Sequence, residues 1–176
     1  MVYKLILGLL FVTTTLLADF NFNDMKTLKA EFTQTIKNEA GKVIQYTGVI
    51  YIKDNKKVLW QYLTPIKKNV YVLDKEVIID EPELEQAIYT HLDKNIDITT
   101  LLSNAVKVSA DLYKTKLYDV EYFLEIKDQK INKISFKDGL SNSIEIDFKN
   151  VDTKDELDDT LFVFLPSNSY DIIEKY

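Results

Sequence analysis

The most regular stretch of the chain is residues 143–149, where Ile144, Ile146 and Phe148 alternate without error with Glu145, Asp147 and Lys149. A period of two puts one set on each face of a β-strand. The same alternation runs backwards along the chain. Ile134 and Phe136 are set between Lys133, Ser135 and Lys137, and Val120, Tyr122, Leu124 and Ile126 between Glu121, Phe123, Glu125 and Lys127. Turn signals at residues 127–130 and 137–140 separate these strands. Connections that short exclude helical crossovers and predict an antiparallel meander.

The first half has a different pattern. Residues 43–52 place Ile44, Tyr46, Ile50 and Ile52 on one parity but Val49 and Tyr51 on the other, and residues 58–63 oppose Val58, Trp60 and Tyr62 to Leu59, Gln61 and Leu63. Residues 68–73, 76–80, 84–90 and 161–165 are further predicted strands. A strand that is apolar on both faces is buried on both, or buries one and lines a cavity with the other. Helical spacing is confined to a short turn at residues 20–28 and to residues 97–105, where Ile98, Leu101, Leu102 and Ala105 form one stripe and Asp97 is placed to cap it. Ten or eleven strands in one sheet must curl, split or close. The predicted architecture is mainly β: an incomplete, open antiparallel β-barrel with a lid of short helices.

Residues 1–18 stand apart. Lys4 precedes an apolar run from Leu5 to Leu17, and Ala18 precedes the first acidic residue, Asp19. A basic start, a short apolar run and a small residue describe a secretory signal peptide, too short to span a bilayer comfortably. The expectation is a signal peptide at 1–18 and one extracytoplasmic domain at 19–176. Composition then narrows its functions. The 22 basic residues, all lysine, face 28 acidic ones for a net charge of −6, which argues against nucleic-acid binding. With no cysteine there is no disulfide, thiolate site or lipid-modified cysteine.

Candidate chemistry is sparse. The single histidine, His91, has no cysteine or second histidine beside it and reads as a strand-end residue. The acidic run from Asp152 to Asp159 lacks the spacing and central glycine of a calcium loop and reads as a solvated loop. Pro82 makes the acidic segment 80–85 a turn. No phosphate-binding glycine loop is present, so no catalytic residue, metal or cofactor is expected. What the chain has in surplus is apolar side chains on both parities of consecutive strands, which favours a lined cavity.

The order of several motifs is similar to that of the outer-membrane lipoprotein carrier family, LolA. Lys29-Ala30-Glu31-Phe32-Thr33-Gln34 resembles the family's opening strand; Gly41, Tyr46-Thr47-Gly48, Trp60 with Tyr62, and Thr64-Pro65 follow. Asp80-Glu81-Pro82 leads into Leu84-Glu85-Gln86, and Leu161 to Pro166 followed by Tyr170 to Ile173 resembles the family's ending. The resemblance implies an incomplete barrel closed by helices around a cavity for lipoprotein acyl chains. It also implies a periplasmic monomer that is no enzyme. Such a carrier receives acylated lipoproteins from an inner-membrane ABC exporter (LolCDE) and passes them to an outer-membrane receptor lipoprotein (LolB). The missing cysteine separates this chain from the receptor itself. The residues expected to line the cavity are Ile50, Ile52, Val58, Trp60, Tyr62, Tyr71, Ile134, Phe136, Ile144, Ile146 and Phe148, with Leu101 and Leu102 from the lid. Where the family carries an Arg-Pro pair associated with latching the lid, this chain has Asp54-Asn55 followed by Lys56 and Lys57; a latch here would be lysine-based, shifted or absent. Val58 replaces an aromatic residue, and the N-terminal helix is short. Alternative readings are a carrier of another amphiphile, such as a lipid or fatty acid, and a lipoprotein-sensing module of the same fold.

Overall fold

A computed structural model describes residues 26–54, 56–74, 76–91 and 98–175. Among them the chain forms β1 (Thr27–Lys37), β2 (Val43–Lys53), β3 (Lys57–Thr64), β4 (Lys68–Leu73), β5 (Glu76–Glu81), β6 (Gln86–His91), a six-residue helix α1 (Ile98–Ser103), β7 (Val106–Lys107), β8 (Leu112–Leu117), β9 (Val120–Lys127), β10 (Lys130–Lys137), β11 (Ser143–Asp152) and β12 (Asp171–Lys175). All twelve strands belong to one sheet, in the order β12-β6-β5-β4-β3-β2-β1-β11-β10-β9-β8-β7. The first and last strands do not pair, so the sheet is open, and every pairing is antiparallel except β12 on β6.

The period-two pattern decides which face is dry. Leu28, Ala30 and Phe32 of β1 stand opposite Ile52, Ile50 and Gly48 of β2 on one side, and Phe32 stands opposite Phe148 of β11 on the other. Gly48 apart, these residues share a single buried core with Val58, Tyr113, Tyr122, Leu124, Ile134, Ile144 and Ile146. That core draws on strands from β3 to β8, far apart in the sheet order, because the sheet curls around it. Helix α1 closes it with Leu101 and Leu102, both under 3% exposed. The outer face of β1, β10 and β11 is polar: Lys133, for example, reaches Glu145 at 3.1 Å and Asp147 at 3.3 Å.

The other half of the sheet is dry on both faces, which accounts for its double-parity pattern. Leu59, Tyr71 and Ile78, from β3, β4 and β5, form a second core with Leu157 and Phe162 on the outside. The C-terminal segment supplying that cover is held at several points. Lys53 Nζ donates to the Leu157 carbonyl at 2.7 Å, and Lys53 and Lys57, paired across the ladder, share Asp159 Oδ1 at 3.1 and 2.7 Å. Further on, the Tyr170 hydroxyl donates to Asp80 Oδ1 at 3.1 Å while Asn69 Nδ2 donates to Asp80 Oδ2 at 2.8 Å.

Several expectations need correcting. Residues 161–165 are no strand. Asp159–Phe162 is a turn of 3-10 helix, after which the chain runs extended across the outer face with Phe162 buried and Val163 and Leu165 exposed. Its alternation is real, but it lies over the sheet instead of beside it. The edge position goes to Asp171–Lys175, which pairs in parallel with β6. The sixth strand begins at Gln86 and not at residue 84, because Pro82–Leu84 forms a 3-10 turn ended by Glu85 at φ 49°. Strands β7, β8 and β12 raise the count to twelve. The expected helix at residues 97–105 is shorter, with Asp97 outside the described residues. Of the helix expected at 20–28, residues 20–25 lie outside them as well, and Thr27 and Leu28 already belong to β1. The signal peptide at 1–18 also lies outside.

Candidate functional site

The inner face does not fill completely. Between β3–β5, β1, β9–β11 and α1 it leaves a cavity of about 370 Å³, lined by Gln34, Trp60, Tyr62, Val70, Val72, Val77, Ile79, Leu101, Tyr122, Ile134, Phe136 and Ile146. Cross-strand register explains the composition. Val58 and Trp60 stand opposite Val72 and Val70, which stand opposite Val77 and Ile79, so the valine and isoleucine rows continue the tryptophan's side outward along the sheet.

An aromatic group stands at one side. The Phe32 ring meets Trp60 edge-on at 5.0 Å and Tyr62 at 5.1 Å, and Tyr62 in turn meets Tyr46 at 5.9 Å. Edge-to-face contacts of this length are favourable for the ring quadrupoles. The arrangement depends on Gly48, directly opposite Phe32. A Cβ there would lie 2.7 Å from the Phe32 ring and would also run into the Gln61 carbonyl oxygen. The β2–β3 register slips between Thr47 and Gly48, the kind of irregular position at which glycine is used in strands.

Polar function in the cavity is limited to a few atoms. The Tyr62 hydroxyl donates to Gln34 Oε1 at 3.1 Å, and Lys68 Nζ lies over the Tyr62 ring, 4.9 Å from its centre. Burial, with neighbouring Tyr46 adding to it, pushes the Tyr62 phenol up to about 12. It is therefore a neutral donor throughout the physiological range. A larger depression of about 660 Å³ at the β8–β11 end includes Asp119, Glu121, Lys137, Asp138 and Glu145 in its lining, which makes it a poor host for hydrocarbon.

Among the expected lining residues, Trp60, Tyr62, Leu101, Ile134, Phe136 and Ile146 surround the cavity. Ile50, Ile52, Val58, Leu102, Ile144 and Phe148 sit in the core packed around it. Tyr71 is the correction. It pairs with Leu59 and Ile78 and belongs to the outer core, where its ring lies 5.8 Å from Phe164. Because β4 is apolar on both parities, its own sequence gives no sign of which face turns inward. Sequence reasoning missed Gln34, Val70, Val72, Val77, Ile79 and Tyr122. The signal that finds the four aliphatic ones is the register of β3–β5, once Trp60 is taken as inward.

The other singled-out groups have structural places. His91 ends β6 and is exposed. In the acidic run, Asp152 accepts the backbone N–H groups of Lys154 and Asp155, and Asp158 accepts that of Thr160 to cap the 3-10 turn. Asp159 takes the two lysines. Hydrogen bonds from Lys57 and then Lys53 hold its carboxyl below the usual range. Lys57 thus ties down the outer C-terminal segment. No group of three or more His, Asp or Glu able to hold a metal occurs among the described residues.

Comparison with known proteins agrees with this geometry. The family model described as "Outer membrane lipoprotein carrier protein LolA" matches residues 23–123. A protein named outer-membrane lipoprotein carrier protein from Wolinella succinogenes is 36% identical over 171 residues, covering 96% of this chain and 99% of its own. A protein of the same name from Helicobacter pylori is also 36% identical, over 86% of this chain and 82% of its own. The crystal structure of a LolA superfamily protein from Nitrosomonas europaea superposes with a TM-score of 0.52 at 12% identity, over 82% of this chain and 93% of that one. The chain belongs to the outer membrane lipoprotein carrier protein LolA family.

Proposed function

We propose that this protein carries lipoproteins through the periplasm by taking their acyl chains into the cavity between β3–β5, β9–β11 and α1. The observation that carries the reading is the lining: a deep recess surrounded by aliphatic and aromatic side chains, with almost no group able to do chemistry. The names of its relatives, lipoprotein carrier proteins, support it.

The energetics give such a cavity its purpose. Each methylene moved into water costs about 0.8 kcal/mol, so a chain of about fifteen methylenes costs on the order of 12 kcal/mol. A lipid-anchored protein does not leave a bilayer against that penalty unless another apolar surface replaces most of the lost burial. The cavity sits at the small end of the roughly 300–1,000 Å³ range of ligand pockets. Cargo with several chains therefore requires this cavity to widen. Because the carrier only exchanges one apolar environment for another, direction comes from its neighbours: an ATP-driven exporter of the LolCDE kind on the inner membrane and a LolB-like receptor lipoprotein on the outer. The signal peptide at 1–18 takes the chain to that compartment, where it works as a monomer.

The test is depletion of the protein in its source organism. Lipoproteins destined for the outer membrane should accumulate in the inner membrane; normal sorting on depletion refutes the reading.

A further inference from the structure

A cavity built only to hide hydrocarbon would have no use for a primary amide, yet Gln34 stands in its wall among Trp60, Tyr62, Ile134 and Ile146. Its place on β1, opposite Tyr46 on one side and Ile146 on the other, points it inward. The Tyr62 hydroxyl occupies its carbonyl oxygen at 3.1 Å, which turns the amide N–H₂ group away from Tyr62. Tyr62 thus takes the amide oxygen and leaves the two N–H donors as the polar atoms that Gln34 has to offer the cavity. The Tyr62 ring is braced edge-on by Phe32 and Tyr46, which holds its hydroxyl against Gln34 Oε1. The result is a fixed donor pair at one place in an apolar recess.

We propose that Gln34 reads the carbonyl at the head of a bound acyl chain, with Tyr62 as the positioning residue that aims the amide. This rests on the carrier reading above and refines it. An acyl chain differs from a plain hydrocarbon by its one carbonyl, an ester or an amide. A hydrogen bond from Gln34 to that oxygen fixes how deep the chain sits and separates acylated cargo from other apolar molecules. The carbonyl also accepts without being charged, as a donor in an apolar setting requires, since a desolvated carboxylate would be far costlier.

The experiment compares two probes that differ only at this atom, a hexadecanoyl monoester of glycerol and the matching hexadecyl ether. Binding to the full mature protein is followed by the fluorescence of Trp60, the single tryptophan. The wild type is expected to bind the ester about fivefold more tightly, the worth of one neutral hydrogen bond. In Gln34→Leu the advantage of the ester over the ether should be lost. The infrared stretch of a carbon-13 labelled ester carbonyl should shift on binding to the wild type and not on binding to the variant. A double variant, Gln34→Leu with Tyr62→Phe, leaves no polar partner unmatched and should behave as the single one does, which guards against a folding defect. Equal binding of ester and ether by the wild type overturns the proposal while leaving the carrier reading intact. So does an ester preference that survives in both variants. Failure of the wild type to bind either probe overturns the carrier reading itself, and this proposal with it.

Discussion

Replacing Gly48 with alanine tests how tightly the aromatic side of the cavity is built. In most strands this exchange is favourable by about 0.5–1 kcal/mol, because alanine loses less backbone freedom on folding. Here the added methyl would lie 2.7 Å from two carbons of the Phe32 ring and overlap the Gln61 carbonyl oxygen. The ring could tilt, though only by giving up its 5.0 Å contact with Trp60. The carbonyl belongs to the β2–β3 ladder and moves only with the strand. Overpacking of this kind costs about 1–3 kcal/mol, and a backbone atom among the obstacles puts it at the upper end, leaving a net loss of about 2 kcal/mol. For a domain of this size that lowers Tm by roughly 4–8 °C. Gly139→Ala is the control, since nothing lies within 4 Å of its added methyl; it should be neutral or slightly stabilising. Thermal unfolding by far-ultraviolet circular dichroism measures both, and the near-ultraviolet signal of Trp60 should change only in the Gly48 variant. Equal melting temperatures for the two would refute the close approach on which the site's description rests.

Three further outcomes follow from the same geometry. Trp60 emission should shift on saturation with a fatty acid or lipopeptide, and unchanged emission would remove Trp60 from the lining. Tyr170→Phe withdraws one of two hydrogen bonds from the buried Asp80 carboxylate and should cost about 1–3 kcal/mol in urea unfolding; no change would mean that the contact is idle. Asp159 is favoured in its ionised form by Lys57 and Lys53, so its contribution is complete above the unfolded carboxylate range near ~4 and fades as pH falls through its lower folded value. Protease cleavage between residues 153 and 165 should therefore rise below about pH 4 in the wild type, and Asp159→Asn should show the higher cleavage already at neutral pH. A variant indistinguishable from wild type at both pH values would show that the clamp does not hold the segment.

Much of this was legible wherever one face of a strand meets water. The alternation in β9, β10 and β11 fixes their inward sets, because Glu125, Lys133 and Lys149 have no other place to go. Where both faces are dry the pattern loses its direction, and nothing in β4 itself shows that Tyr71 faces outward with Leu59 and Ile78. Strand β8 was hidden differently. Its inward positions are Tyr113 and Thr115, both buried, so a hydroxyl stands where an aliphatic residue would have marked the period. Its turn to β9 puts Tyr118 and Asp119 at φ 49° and 67° with neither glycine nor asparagine to announce it. Gln34 was visible as part of a motif, but its role depends on Tyr62, 28 residues away, and no local pattern carries that.

The C-terminal segment lying across the outside of β3–β5 bears on the working cycle of a carrier. Between deliveries such a protein has nothing in its cavity, and a wall whose only dry surface faced that void would lose much of its reason to stay folded. Here Leu59, Tyr71 and Ile78 are buried from the other side by Leu157 and Phe162, whatever the cavity holds. With acyl chains held in the inner cavity, as proposed above, these contacts lie on the opposite face of the wall and keep that face buried through loading and release.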